Sequence, residues 1–439
     1  MSNITIVGAG LAGCEAAWYL ANRGIKVALY EMKPSQKTPA HSLDTFGELV
    51  CSNSLRSDRI ENAVGLLKHE LRELGSLIME AADATKVPAG GALAVDRESF
   101  SKYIDEKIRN HENITVVEDE ITQVPDGEYA IIATGPLTSD ALADDIMQKF
   151  CKDDTMYFYD AVAPIINKDS INMDIAFKGS RYDRGDDDYI NCPMTKEEYY
   201  AFYNALITAD TADIKGFEET KVFEGCMPIE SMAKRGPMTM AFGPLKPVGI
   251  DNPHKPDEKP FAVVQLRQDN AAGTLYNIVG FQTRLKVYEQ EKVFSMIPGI
   301  ENAEFFRYGV MHRNTYINSP HLLDSSLQMK ERKGLYMAGQ MMGVEGYVES
   351  CASGIWAAIC AARQIENKPA IFPDDSTMIG AIIKYTTNPA TDKLKPMNAN
   401  YGLMQPLDKK IKSKNDRAIA YADRACENNK KLKNEIEEK

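Results

Sequence analysis

The stretch ITIVGAGLAGCEAAWYLANRGIKVALYE, Ile4 to Glu31, constrains this chain more than any other. A short apolar run leads into Gly8, Gly10 and Gly13 at GxGxxG spacing. A run of small residues, Gly24, a second apolar run and the acid Glu31 follow in register. Gly8 permits a tight turn, Gly10 lets a pyrophosphate approach the backbone, and Gly13 lets helix and strand pack closely. Ala9, Leu11 and Ala12 complete the loop, whose N–H groups open a helix N-terminus that favours phosphate. Glu31 can accept hydrogen bonds from ribose hydroxyls. The stretch therefore predicts a strand over 4–8, a helix over 12–23, a strand over 26–31 and a bound dinucleotide.

Two later segments favour FAD over NAD as that dinucleotide. "ATG" (Ala133, Thr134, Gly135) ends a second short buried strand, over 129–136. "GLYMAGQMMGVEGYVESCASG" brings Gly339, Glu345, Gly346 and Tyr347 to the start of a helix rich in small residues. The positive end of such a helix, pointed at the pyrimidine side of a flavin, stabilises the anionic reduced ring. Glu345 and Glu349 stand near that turn, either to tune the ring or to cap the helix. A second GxGxxG is lacking, so NADH or NADPH must visit the flavin over a less specialised surface.

The alternation of strands and helices breaks near residue 155. Apolar–polar alternation in "FAVVQLRQ" and "LYNIVGFQT" then suggests antiparallel strands, and the strand–helix pattern returns after about 330. The expected fold is α/β: a Rossmann-like FAD-binding domain over 1–155 and 326–439, with an inserted α+β domain over 156–325 for RNA or substrate. Val64, Leu67, Leu71, Leu74 and Ile78 predict one helix over about 61–81, and another fits 97–110. The tail from about 375 reads as mostly helical.

No apolar run reaches the roughly 18 residues of a membrane span, and "MSN" begins no signal peptide, so a cytoplasmic location is expected. A formal charge of −12 argues against nonspecific nucleic-acid binding. It leaves room for a local RNA surface at Lys178, Arg181 and Arg184, at Lys234 and Arg235, at Arg284 and Lys286, or in the lysine-rich tail from Lys409. The eight cysteines form no CxxC or CxxH pair, which argues against a structural zinc, and no metal is expected. Most should be buried thiols. Cys51, in the polar turn "ELVCSNSLRSD", and Cys226, in "FEGCMPIE", stand apart.

With "PAGGALAVDR", "RGPMTMAFGPLKPVG", "GVMHRNTYINSP", "AGQMMGVEGYVES" and "PMNANYGL", these motifs cover the chain from residue 4 to about 407. Together they resemble one family, the folate- and FAD-dependent tRNA uracil-5-methyltransferases, short relatives of the GidA-type flavoproteins. The resemblance implies reductive C5-methylation of the T-loop uridine, position 54 of tRNA. The carbon donor would be 5,10-methylenetetrahydrofolate, and NAD(P)H would reduce the FAD. It further implies that Cys226 adds to uracil C6 and that Cys51, beside the flavin, is the base at C5. Asn53 would lie at the cofactor, His312 would stack on the folate pterin, and Arg313 would meet folate or RNA anions.

That chemistry agrees with the residues. Uracil C5 is a weak nucleophile until a thiolate adds at C6, and its proton must afterwards be removed. Two thiols in distinct motifs supply both roles; on chemistry alone the reverse assignment stands equally. The alternatives are 5-methyluridine formation in 23S rRNA and a GidA-like flavin-dependent tRNA-binding protein. The sequence leaves the oligomeric state open.

Overall fold

A computed structural model describes residues 4–38, 40–151, 155–183, 188–212 and 227–437. Ile4–Val7 and Val27–Tyr30 pair in parallel, joined by the helix Leu11–Asn22. Ala130–Ile132 pairs with the other side of Ile4–Val7, so strand order reverses there. Leu335–Met337 and Ile114–Val117 complete a five-stranded, all-parallel sheet. Such sheets bury both faces, which explains the nearly unbroken apolar strands ITIV, AII and LYM. The carboxyl ends of the central strands place Gly8, Glu31, Ala133 and Ala338 along one edge. A reversal of strand order at such an edge is where open α/β sheets bind ligands.

The helix Tyr347–Ile365 returns from the C-terminal segment and crosses Leu11–Asn22 at close range. A Cβ on Gly354 would lie 2.3 Å from the Ala12 carbonyl oxygen, so only glycine lets the two backbones meet. This contact explains the alanine-rich composition of both helices.

The chain leaves and re-enters this unit through two strands, Thr155–Ala161 and Met311–Ile317, which pair with each other antiparallel. Between them stands a six-stranded antiparallel sheet, ordered 177–178, 189–194, 262–268, 275–278, 165–167 and 305–307. Its separate core packs Ile166, Ile190, Val264 and Ile278 against Tyr199 and Phe202 of the helix Lys196–Thr208. Thr195 and Glu198 cap that helix reciprocally. Among the described residues, no helix is long and apolar enough to cross a membrane.

One expectation needs correction. The helix expected over 61–81 is two helices, Ala63–Glu73 and Leu77–Ala84. Gly75 turns the chain at φ +79°, and the Ser76 hydroxyl accepts the Met79 N–H at 3.1 Å. The buried Glu15 carboxylate reinforces the second start by accepting from Leu77 N–H at 2.9 Å. The tail is mostly helical, as expected, over Met378–Thr386 and Lys414–Glu437. Loop and a single 3-10 turn, Tyr401–Leu403, lie between them.

Candidate active site

The glycine turn opens a groove of about 640 Å³ lined by Gly8, Gly10, Glu31, Lys33, Thr134 and Thr138. A Cβ on Gly13 would fall 1.8 Å from the Gly8 carbonyl oxygen, so turn and helix touch there. A Cβ on Gly10 would meet nothing within 4 Å, because that side faces the groove. Leu11 and Ala12 bury their side chains in the core. With Gly13 they offer N–H groups that have no partner within the helix. Glu31, buried at the end of its strand, accepts from Ala9 N–H at 2.7 Å and Lys33 N–H at 3.1 Å. Its carboxylate is thereby fixed at the groove wall, with lone pairs to spare. The Thr134 and Thr138 hydroxyls pair at 2.6 Å, and Gly135 turns the chain away. A bound FAD fits this donor set: pyrophosphate at Gly10–Gly13, ribose at Glu31.

After the strand Leu335–Met337, Gly339 donates its N–H to the Ser353 hydroxyl at 2.7 Å, fixing this turn to the helix Tyr347–Ile365. Gly346, at φ +107°, is the N-cap of that helix and offers no side-chain cap. The first N–H groups are thus left for a ligand. Glu345 is buried and receives the Gln340 side-chain amide at 3.3 Å. Glu349 is fully buried; its Oε1 accepts from Ala399 N–H at 2.7 Å and from Arg56. Its Oε2 has no hydrogen-bond partner among the described residues.

Tyr347, in the first helical turn, does more than line a cofactor site. Its phenolic oxygen accepts the Cys51 N–H at 2.7 Å and the Ser52 N–H at 3.2 Å. Burial, followed by the neighbouring Cys51, pushes this phenol's pKa up, so the hydroxyl stays neutral. Arg97 donates to the Cys51 carbonyl at 3.1 Å and pairs with Asp269 through two bonds of 2.8 and 3.2 Å. Burial alone would lower the Arg97 pKa, but the Asp269 charge outweighs it and the guanidinium stays charged. The Cys51 thiol itself is half-buried, 3.8 Å from the Ala161 carbonyl oxygen.

The Asn53 side chain is bound on three sides by protein groups. Its amide donates to Val95 O at 3.0 Å and Gln268 O at 2.9 Å, and its oxygen accepts from Arg267 Nε at 3.2 Å. Arg267 also donates to the Ser52 hydroxyl at 2.6 Å. The Asn53 side chain therefore clamps the thiol loop to the inserted unit. Sequence alone assigned no role to Arg97, Arg267 or Asp269. Arg97 ends the segment "PAGGALAVDR", but nothing in the sequence pairs it with Asp269, 172 positions away.

Cys226 lies outside the described residues, as does Arg184. Both flanks of the Cys226 segment are anchored on one stretch: Ala212 N–H donates to Arg284 O and Ile229 N–H to Gln282 O, each at 2.7 Å. For His312 and Arg313 only the backbone is described. Met311 pairs with Ala161, and His312 with Asp160. The strand carrying His312 thus runs beside the residue whose carbonyl faces Cys51. Cys14, Cys192, Cys351 and Cys360 are buried, and burial pushes each thiol's pKa up.

A parallel-sheet dinucleotide unit, an uncapped start to the helix Tyr347–Ile365 and an inserted antiparallel unit define a flavoprotein of the GidA class. The family profile "Glucose inhibited division protein A" matches residues 3–369. The solved structure of Aquifex aeolicus GidA superposes with a TM-score of 0.70 at 18% identity, covering 98% of this chain and 73% of that one. That likeness establishes the fold. The methylenetetrahydrofolate–tRNA-(uracil-5-)-methyltransferase TrmFO of Ligilactobacillus salivarius is 56% identical over 434 residues, 99% of each chain. Its counterpart in Listeria monocytogenes is 57% identical over 434 residues, again 99% of each. The chain belongs to this TrmFO family.

Proposed function

We propose that the protein methylates C5 of a uridine in tRNA, at position 54 of the T-loop, with 5,10-methylenetetrahydrofolate as carbon donor. The observation that carries this reading is the seating of Cys51. Tyr347 ties it to the uncapped start of the helix Tyr347–Ile365, and Ala161 ties it to the strand paired with the one that bears His312. Bound FAD, reduced by NADH or NADPH, supplies the reducing equivalents for the transferred carbon.

The chain's residues act on the base. The Cys226 thiolate adds to uracil C6, forming a C–S bond and moving charge onto the C4 carbonyl oxygen. C5 then attacks the methylene carbon, and its bonds to both folate nitrogens break in turn, the first on attack and the second once the C5 proton is gone. Cys51 removes the C5 proton, a hydride equivalent reduces the exocyclic methylene, and loss of Cys226 from C6 restores the aromatic base. Arg97 and Tyr347 hold Cys51 still by fixing the backbone on both sides of it, and His312 stacks on the pterin.

Incubating the purified protein with NADPH, methylenetetrahydrofolate and unmodified tRNA and 23S rRNA transcripts tests the reading. 5-Methyluridine at tRNA position 54 is expected. Transfer to rRNA alone would contradict the target, and transfer to neither would contradict the activity.

A further inference from the structure

A second cleft, opening about 1580 Å³ of space, lies where the loop 40–49 and Arg97 meet the edge of the inserted sheet at Ile165, Asp269, Leu275, Phe306 and Arg307. His41 and Glu48 border both this cleft and the dinucleotide groove. The edge strand Phe305–Arg307 pairs with Ile165–Asn167 through a register shift between Phe305 and Arg307. Such a bulge re-aims consecutive side chains toward one side. Phe306 is 63% exposed there, a large ring open to water.

Arg307 donates one hydrogen bond, from Nη2 to Ala40 O at 3.0 Å, and forms no ion pair among the described residues. Of the cleft's carboxylates, Glu48, Asp269 and Asp96 are bound elsewhere, Asp96 by the Ser99 and Ala271 N–H groups. Glu48 accepts from Ser42 N–H at 2.9 Å, the Ser42 hydroxyl at 2.8 Å and Leu43 N–H at 3.1 Å. Asp269 is held by Arg97. Burial and the like charge of Arg97 both disfavour the Arg307 cation, and an anion in the cleft would offset that cost.

We propose that this cleft seats the tail of the folate donor: its aryl ring against Phe306 and its carboxylate on Arg307. The inference rests on the folate-dependent reading above. A guanidinium with free donors suits a carboxylate, and an exposed ring beside an apolar wall suits an aryl group. Position agrees, because His312 follows Arg307 by five positions, a span of at most ~18 Å. One ligand can therefore place its pterin at His312 and its tail at Arg307.

The test uses FAD-loaded protein and measures binding of 5-formyltetrahydrofolate, of a reduced pterin without the tail, and of NADPH. Arg307→Ala should weaken folate binding about 10- to 100-fold and leave the tail-less pterin and NADPH unchanged. Phe306→Ala, at an exposed position, should weaken folate several-fold by the same pattern, and so serves if Arg307→Ala fails to fold. Unchanged folate affinity in the folded variants overturns the proposal, as does an equal loss for folate and tail-less pterin. A loss confined to NADPH also overturns it and assigns the cation to a dinucleotide phosphate. Failure of the wild-type protein to bind any folate would instead overturn the folate-dependent reading itself.

Discussion

The hydroxyl of Tyr347 accepts the backbone N–H of Cys51 across 2.7 Å and 296 positions of sequence. The uncapped helix start at Gly346 thus also holds the thiol-bearing loop. Tyr347→Phe leaves the Cys51 and Ser52 N–H groups without this acceptor, a loss of about 1–3 kcal/mol of local order. FAD content should hold, while kcat for tRNA methylation falls about ten-fold or more and KM for tRNA stays level. An unchanged kcat would show that the loop needs no such tether.

Arg97 and Asp269 form a buried pair between the thiol loop and the inserted unit, with side chains 12% and 3% exposed. Removing one partner strands a charge, which costs about 3–5 kcal/mol. Asp269→Asn and Arg97→Gln should each lower the urea midpoint markedly. The double variant should lose less than the two single losses combined, and strict additivity would contradict the coupling.

Glu15 and Glu70 are buried carboxylates, pushed up mainly by burial to about 7 and about 8. Glu70 accepts from Met378 and Ile379 N–H, each at 2.8 Å. Their folded pKa values exceed the unfolded ones, so between roughly pH 4.5 and 8 the folded state binds more protons. Their contribution to stability is full below about pH 4.5 and is lost as pH rises through 7 to 8. Denaturation midpoints measured from pH 5.5 to 8.5 should decline less in Glu70→Gln than in the wild-type protein. A steeper decline in the variant would reverse the sign of this linkage.

Gly354 belongs to no expected site, yet an added Cβ would meet the Ala12 carbonyl oxygen at 2.3 Å. Gly354→Ala should push the two alanine-rich helices apart and disturb the phosphate-facing turn. The purified variant should carry clearly less FAD than the wild-type protein, read from the flavin absorbance per chain. Full loading would show that the helix contact does not set the groove.

The dinucleotide unit is legible in the sequence because its determinants are local: glycine spacing, a strand on each side and a terminal acid all lie within 28 consecutive residues. The break at Gly75 and Ser76 is legible too, since a glycine stop followed by a serine start marks a helix boundary, but the apolar periodicity runs across it. The clamp on Cys51 is not. Asn53, Arg97, Arg267, Asp269 and Tyr347 come from distant segments, and their pairing exists only once two sheets meet. Asn53 illustrates the limit: its motif marks it as a site residue, while only its partners reveal what it holds.

The central claim is a division of labour between Cys226 and Cys51, and covalent trapping tests it most directly. Each cysteine is replaced by alanine, and each variant is incubated with tRNA containing 5-fluorouridine, methylenetetrahydrofolate and NADPH. The protein–RNA adduct is then scored by gel shift and mass. The adduct should persist in Cys51→Ala and disappear in Cys226→Ala. An adduct that survives Cys226→Ala and vanishes in Cys51→Ala would contradict the claim.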